Sequence, residues 1–305
     1  MSNKSFLKLG IGILVVLFFI IITFNHFGSQ SEELKVLTTY SIIDDLVTNI
    51  AGDRIETDYI VPIGVEPEEF EPLPKHMQQV DAADLIIYNG LGVERWLENL
   101  INNVNPEQKM TKATAGIEPF YLEEGSFKGR PDPHAWFDPL LIKDYYLVNI
   151  RDALIELDPA GEEYYRQRTK KYQEELLDLH HWIEAELEDL AKEDRILISS
   201  EGAFRYFCER YDFEEGFIWQ INAHEEGSPQ QIADLVDLIN QRNVGAVFVE
   251  TSVDHRPMEQ VAEETNVSIG GELYSDSLGE AGSSGETYIK LMEHNLSLIV
   301  DSLKE

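Results

Sequence analysis

The chain has 305 residues, with 57 acidic against 24 basic side chains, a net charge of −33 and a pI near 4.4. A phosphate backbone would be repelled by such a surface, so nucleic acid is excluded as a partner, and cations are the natural counterpart. An apolar content of 43% with 10% aromatics argues for a globular chain with real cores, and the single cysteine, Cys208, excludes an internal disulfide and a multi-cysteine zinc site. A saline or alkaline habitat would select the same acidity, so charge alone assigns no role.

Lys4 and Lys8 precede an apolar run from Leu9 to Phe24, the layout of a signal sequence or membrane anchor. Only a weak Ser29-Gln30-Ser31 stands where a cleavage site belongs, and no cysteine follows the run, so lipid attachment there is not available. The expectation is an uncleaved anchor over residues 1–31, with everything from about Glu32 outside the membrane. Lys35 to Thr39 then reads as a strand, and Ser41 opens a helix that stops at Gly52. A second strand over Arg54 to Val61 leads into Pro62 to Pro74, a loop crowded with prolines and acids. A helix from Lys75 to Ala82, a buried-type strand Leu85 to Tyr88, a turn at Gly90-Leu91-Gly92 and a helix lined by Trp96, Leu97 and Leu100 follow.

Residues 116 to 133 form a long surface loop that delivers Pro131-Asp132-Pro133-His134-Ala135-Trp136-Phe137-Asp138-Pro139. Proline fixes its own φ and pushes the preceding residue out of the α region, so this stretch is a stiff loop holding one histidine between carboxylates. Helical spacing of Tyr165, Tyr172, Leu176, Leu179, Ile183, Leu187 and Leu190 predicts one long helix from Pro159 to about Ala191, roughly 45 Å, which reads as a connector. A second α/β set follows: strand Ile196 to Ile198, helix Glu201 to Arg210, strand Phe213 to Ile218, helix Ser228 to Asn240 and strand Ala246 to Val249. Helix Arg256 to Thr265, strand Val267 to Ile269, a glycine-rich loop Gly270 to Gly285 and a terminal helix complete it. Cys208 sits on the buried face of an amphipathic helix with Phe204, Phe207 and Tyr211.

Glu68, His134, Glu201 and Asp276 stand at strand ends or in the loops that follow, where open parallel sheets bind ligands. Three of them have a plainer reading: His134 a packed core residue, Glu201 a first-turn helix acid, Asp276 a turn carboxylate. His180 and His181 point to different helix faces, and His224 and His255 lie beside acids in loops.

The blocks Asp132-Pro133-His134-Ala135-Trp136, Ser200-Glu201-Gly202-Ala203-Phe204, Ile218 to Asn222 with Glu225-Glu226-Gly227, Phe248 to Asp254 with Arg256-Pro257, and Tyr274-Ser275-Asp276-Ser277 carry a resemblance. In order and spacing, over residues 34 to 305, the chain resembles the manganese/iron/zinc-binding receptors of ABC importers, the ZnuA-like or TroA-like proteins. That resemblance implies two Rossmann-like α/β lobes joined by one long rigid helix, with a metal in the cleft between them. Block by block it places the ligands on Glu68, His134, Glu201 and Asp276, and the glutamate at the third position is of the manganese/iron branch. The chain departs at the first ligand, where Glu66-Pro67-Glu68-Glu69-Phe70-Glu71-Pro72-Leu73-Pro74 has glutamate in place of the family's histidine. Glu68 stands at the matching position, with Glu66, Glu69 or His76 as alternatives.

One imidazole and three carboxylates form a hard, oxygen-rich set that suits Mn2+, or Fe2+, better than Zn2+ or Cu+, although affinity order alone favours zinc. The expected domains are 1–31 (signal or anchor), 32–158 (first lobe), 159–192 (linking helix) and 193–305 (second lobe). The expected function is that of an extracytoplasmic receptor that captures a divalent ion and passes it to a permease driven by a cytoplasmic ATPase, acting as a monomer tethered to the membrane through its N-terminal segment. Two other classes fit a metal site: a hydrolase with a metal on His134, Glu201 and Asp276 and Glu68 as base, and an adhesion protein with a structural metal. No nucleophile elbow or H-E-x-x-H helix occurs, which favours binding over catalysis.

Overall fold

The computed structural model describes residues 34–304 apart from 124, 126, 222–226 and 243. Leu34–Glu305 form one compact unit. The expected anchor over residues 1–31 and the loop with His224, Glu225 and Glu226 lie outside the described residues. Among the described residues no helix is long and apolar enough to cross a membrane.

The first lobe is a parallel sheet in the order β2-β1-β3-β4, formed by β1 (Lys35–Tyr40), β2 (Glu56–Val61), β3 (Leu85–Tyr88) and β4 (Met110–Lys112). β1 is central, and after Lys35 every residue of it is buried, as expected of a strand covered on both faces. α1 (Ser41–Ala51) packs its stripe Ile42, Ile43, Leu46, Val47 and Ile50 inward and ends at Gly52, whose φ of 54° favours glycine. A β-carbon there would also meet the Tyr164 hydroxyl at 2.1 Å. α2 (Pro74–Ala82) and α3 (Leu97–Val104) cover the other face. The three-residue β4 has no apolar run of its own and was not expected; it adds to the edge of β3 at Ile86↔Met110.

In the second lobe β5 (Ile196–Glu201) pairs in parallel with β6 (Glu214–Trp219), and β7 (Ala246–Glu250) with β8 (Ser268–Leu273). β5 also lies alongside β7. The succession β6-β5-β7-β8 thus winds like β2-β1-β3-β4. Helices α7 (Arg205–Tyr211), α8 (Pro229–Arg242) and α9 (Arg256–Thr265) connect these strands, and α10 (Tyr288–Lys304) closes the chain. Two expectations are corrected here. Glu201 is the last residue of β5 rather than the first of a helix, which begins four residues later. Gly270 and Gly271 belong to β8 rather than to a loop, because α10 lies so close that a β-carbon on Gly270 would meet Ser302 Oγ at 2.5 Å and the Phe248 ring at 2.7 Å.

After the His134 loop, Pro139 starts a helical stretch of α4 (Pro139–Leu141), a π-helical segment Ile142–Tyr146 and α5 (Leu147–Leu157). The connector α6 (Glu162–Glu186) has 25 residues, shorter than expected, because a 3₁₀ turn precedes it and the chain from Leu187 turns away. Its face Tyr165, Thr169, Tyr172, Leu176, Leu179 and Ile183 is buried. One apolar cluster runs from Val36 and Leu46 of the first lobe through Tyr172 and Leu176 to Leu197, Phe248 and Leu296 of the second. Polar contacts reinforce it: Trp136 Nε1 donates to Ser275 O (3.2 Å), Tyr206 Oη to Asp132 O (2.9 Å), and Leu278 N to Ser41 Oγ (2.9 Å). The two lobes therefore share a core and do not behave as beads on a string.

Candidate metal centre

The stiff loop at the middle of the chain buries His134 completely. Asp132, two residues earlier, accepts both the His134 backbone N–H (3.0 Å) and the ring Nδ1–H (2.9 Å). A carboxylate on Nδ1 leaves Nε2 as the ligating nitrogen, the arrangement found behind metal-bound histidines. Nε2 is buried, has no hydrogen-bond partner and lies 3.7 Å from Asp276 Oδ1. Trp136 packs edge-on against the imidazole at 5.0 Å between ring centres. The second aspartate of the loop does different work: Asp138 caps α4 through Leu140 N (2.9 Å) and pairs with Arg210 (2.6 Å) across the lobes.

From the second lobe come Glu201, at the carboxyl end of β5, and Asp276, three residues beyond β8, both buried. Asp276 Oδ2 accepts from Ser275 Oγ (3.0 Å) and from Ser252 Oγ at 3.4 Å. Glu250, fully buried at the end of β7, accepts the backbone N–H of Glu201 (2.9 Å) and of Ser200 (3.2 Å), fixing the strand end that presents Glu201. The supporting roles of Asp132, Ser252, Ser275 and Glu250 were not assigned from sequence. Ser252 and Glu250 act across strands, whereas Asp132 and Ser275 are visible in the sequence only as polar neighbours of His134 and Asp276.

The first lobe adds the acidic loop 62–74. Trp96 Nε1 donates to Pro67 O (2.8 Å), Phe70 packs on Trp96 and His76, and Gly64 N donates to Ser277 Oγ (2.9 Å), tying the loop to the residue after Asp276. Single ligand atoms of Glu66, Glu201 and Asp276 lie within 4.8 Å of one another. Glu68 is half-buried, and its Oε1 is sheltered without a hydrogen-bond partner near His134 and Asp276. Neither Glu68 nor His134 is part of that three-carboxylate group, which His134 adjoins through Asp276. At the start of α2, His76 Nδ1 accepts the Leu73 N–H (2.7 Å), while its Nε2 is buried without a hydrogen-bond partner, and the residue stands outside the three-carboxylate group. His180 hydrogen-bonds Tyr211 Oη (3.0 Å), and His255 Nε2 faces Glu250 O (3.0 Å).

Electrostatics at the centre are those of a cation trap. Burial, with Asp276, Glu69 and Glu68 close by, pushes Glu66 up to about 9. Burial raises Glu68 to about 8 against the pull of His134, and raises Asp276 likewise. Burial pulls His134 down, but the hydrogen bond to Asp132 and the charges of Asp132, Asp276 and Glu68 outweigh it and lift the ring to about 9. Crowded, desolvated carboxylates hold protons that a divalent ion would displace.

The comparisons with known proteins point the same way. Residues 36–302 match the family model ZnuA, zinc-uptake complex component A, periplasmic. The manganese-binding lipoprotein MntA of Halalkalibacterium halodurans is 42% identical over 278 residues, 91% of each chain. The manganese ABC transporter substrate-binding lipoprotein PsaA of Streptococcus anginosus is 37% identical, over 97% of this chain and 99% of its own. Among solved structures, the periplasmic zinc-binding protein TroA of Treponema pallidum superposes with a TM-score of 0.83 at 30% identity, over 89% of this chain and 99% of that one. The two-lobed architecture is thus that of solute-binding components of metal importers, and the chain is a binding protein of this kind rather than an enzyme. With nearly its whole length matched, from β1 to α10, the chain belongs to the ZnuA family of periplasmic metal-uptake components.

Proposed function

We propose that this chain is the extracytoplasmic receptor of an ABC importer for a divalent metal, with Mn2+ as its cargo and Glu68, His134, Glu201 and Asp276 among the ligands. The observation that carries the reading is the unpartnered, fully buried Nε2 of His134 aimed at a buried group of carboxylates contributed by both lobes. A ligand set of one imidazole and several carboxylates is hard, and it favours Mn2+ or Fe2+ by donor type. The relatives from Halalkalibacterium and Streptococcus, both named for manganese, support that cargo. Selectivity against Zn2+ rests on coordination number, since bidentate carboxylates give more oxygens than zinc's usual four ligands. The lobe limits 32–158 and 193–305, with 159–192 between them, belong to the same proposal.

The relatives are named lipoproteins, yet the only cysteine here is Cys208, buried in α7. The apolar segment Leu9 to Phe24 therefore serves as the tether in this chain, holding a monomeric receptor beside its permease. Calorimetric titration of the full-length protein in detergent tests the receptor reading. Submicromolar binding of Mn2+ with proton release is expected, and absence of binding of Mn2+, Fe2+ and Zn2+ alike would refute it. Mass spectrometry of the membrane-extracted protein checks the tether, with residues 1–31 expected to be retained.

A further inference from the structure

We propose that Glu66 is a direct ligand of the imported cation, joining Glu68, His134, Glu201 and Asp276; the proposal rests on the receptor reading above. A histidine is missing from the acidic loop, and the structure shows which carboxylate approaches the ligands of the opposite lobe. One carboxylate oxygen of Glu66 lies within 4.8 Å of ligand atoms on both Glu201 and Asp276. The side chain is only 9% exposed, its Oε1 has no hydrogen-bond partner, and among the described residues no lysine or arginine pairs with it. Burial of a carboxylate beside two others without a donor or cation is unfavourable, whereas a shared divalent ion satisfies all three at once.

The backbone supports the same placement from a second direction. Gly64, two residues before Glu66, donates its N–H to Ser277, the residue after Asp276, so the loop that carries Glu66 is fastened to the loop that carries Asp276. The buried, unpartnered Nε2 of His134 stands 3.7 Å from Asp276 and so adds a nitrogen donor beside one of the three carboxylates. Glu66 and Glu68 together then replace one neutral imidazole by two carboxylates. That change makes the site harder and raises its oxygen count, the direction that favours Mn2+ over Zn2+.

The test uses the full-length protein in detergent with the variants Glu66→Gln and Glu68→Gln, titrated with Mn2+ by calorimetry and read at saturation by electron paramagnetic resonance of the bound Mn2+. Glu66→Gln is expected to weaken Mn2+ at least about a hundredfold, more than loss of a merely supporting residue would, and to change the resonance of the bound ion. Its metal-free melting temperature is expected to stay equal or rise, because an uncompensated buried carboxyl is removed. Should Glu66→Gln fail to fold, Glu66→Asp retains the charge but withdraws it by one methylene, and the same loss of affinity is expected. Binding within threefold of the parent and an unchanged resonance for the Glu66 variant, while Glu68→Gln loses binding, would overturn this proposal and leave the receptor reading intact. A parent protein that binds no divalent ion would overturn both.

Discussion

On the second-lobe side, the proposed ligands are held by hydrogen bonds of their own: Asp276 by two serine hydroxyls, and the strand end of Glu201 by Glu250. On the first-lobe side only His134 is held in this way, by Asp132, while Glu66 and Glu68 project from a proline-rich loop with buried oxygens that lack partners. The difference separates a preorganised wall from an arm whose buried carboxylate oxygens are left without partners. Preorganised ligands lower the entropic cost of binding, and the incomplete arm couples binding to the loop that bridges the lobes. A second parallel lies deeper. Glu94 in the first lobe accepts N–H groups of Asn89 (2.7 Å) and Gly90 (3.1 Å) and the Thr39 hydroxyl (2.7 Å), stitching the ends of β1 and β3 as Glu250 stitches those of β5 and β7. Only the second of these buried glutamates touches the backbone of a proposed ligand.

The largest effect that would break the contrast is at the wall itself: Asp276→Ala is expected to weaken Mn2+ binding by more than about a hundredfold in calorimetry. Asp132→Asn comes next, at about ten- to a hundredfold, because the amide no longer holds the imidazole in the ligating tautomer. An affinity loss as large as that of Asp276→Ala would make Asp132 itself a ligand. Glu250→Gln and Glu94→Gln sharpen the comparison. Both remove charge-assisted hydrogen bonds worth about 1.5–3 kcal/mol and lower the melting temperature by several degrees, but only Glu250→Gln is expected to weaken the metal as well, by about tenfold. Equal affinity losses from the two would dissolve the distinction between the lobes.

The smallest effect is on pH dependence. Glu66 and His134 at about 9, Glu68 and Glu215 at about 8, and Asp44 and Asp45 at about 6 all keep protons in the folded state that the unfolded chain releases at lower pH. Native excess of bound protons means that stability falls as pH rises, from about 4.5 for the carboxyls and about 6.5 for the imidazole until each folded value is passed. The metal-free protein is therefore expected to melt higher at pH 6 than at pH 9, and added Mn2+ to raise the melting temperature most at the alkaline end. Calorimetric scans with and without the ion measure this, and a metal-free melting temperature that rises with pH would contradict it.

Much of the fold was legible because its signals are local. Helical spacing of apolar residues marked the connector α6, short apolar runs marked β3, β5 and β7, and Gly52 marked the end of α1. The ordered blocks around His134, Glu201 and Asp276 carried the family before any coordinate did. What the sequence could not decide depended on approach in space. Gly270 and Gly271 read as loop residues until α10 was seen pressed against β8, and the short β4 became a strand only by pairing with β3. The acidic loop is the sharpest case. Glu66, Glu68 and Glu69 are equivalent by composition, and register with the family favours Glu68, but only the fastening of Gly64 to Ser277 brings Glu66 beside Asp276 and Glu201. Residue type and spacing thus determined the fold class and a metal-binding chemistry, because both follow from local pattern. Which carboxylates face one another across the lobes was decided by tertiary contacts between segments some two hundred residues apart in the chain.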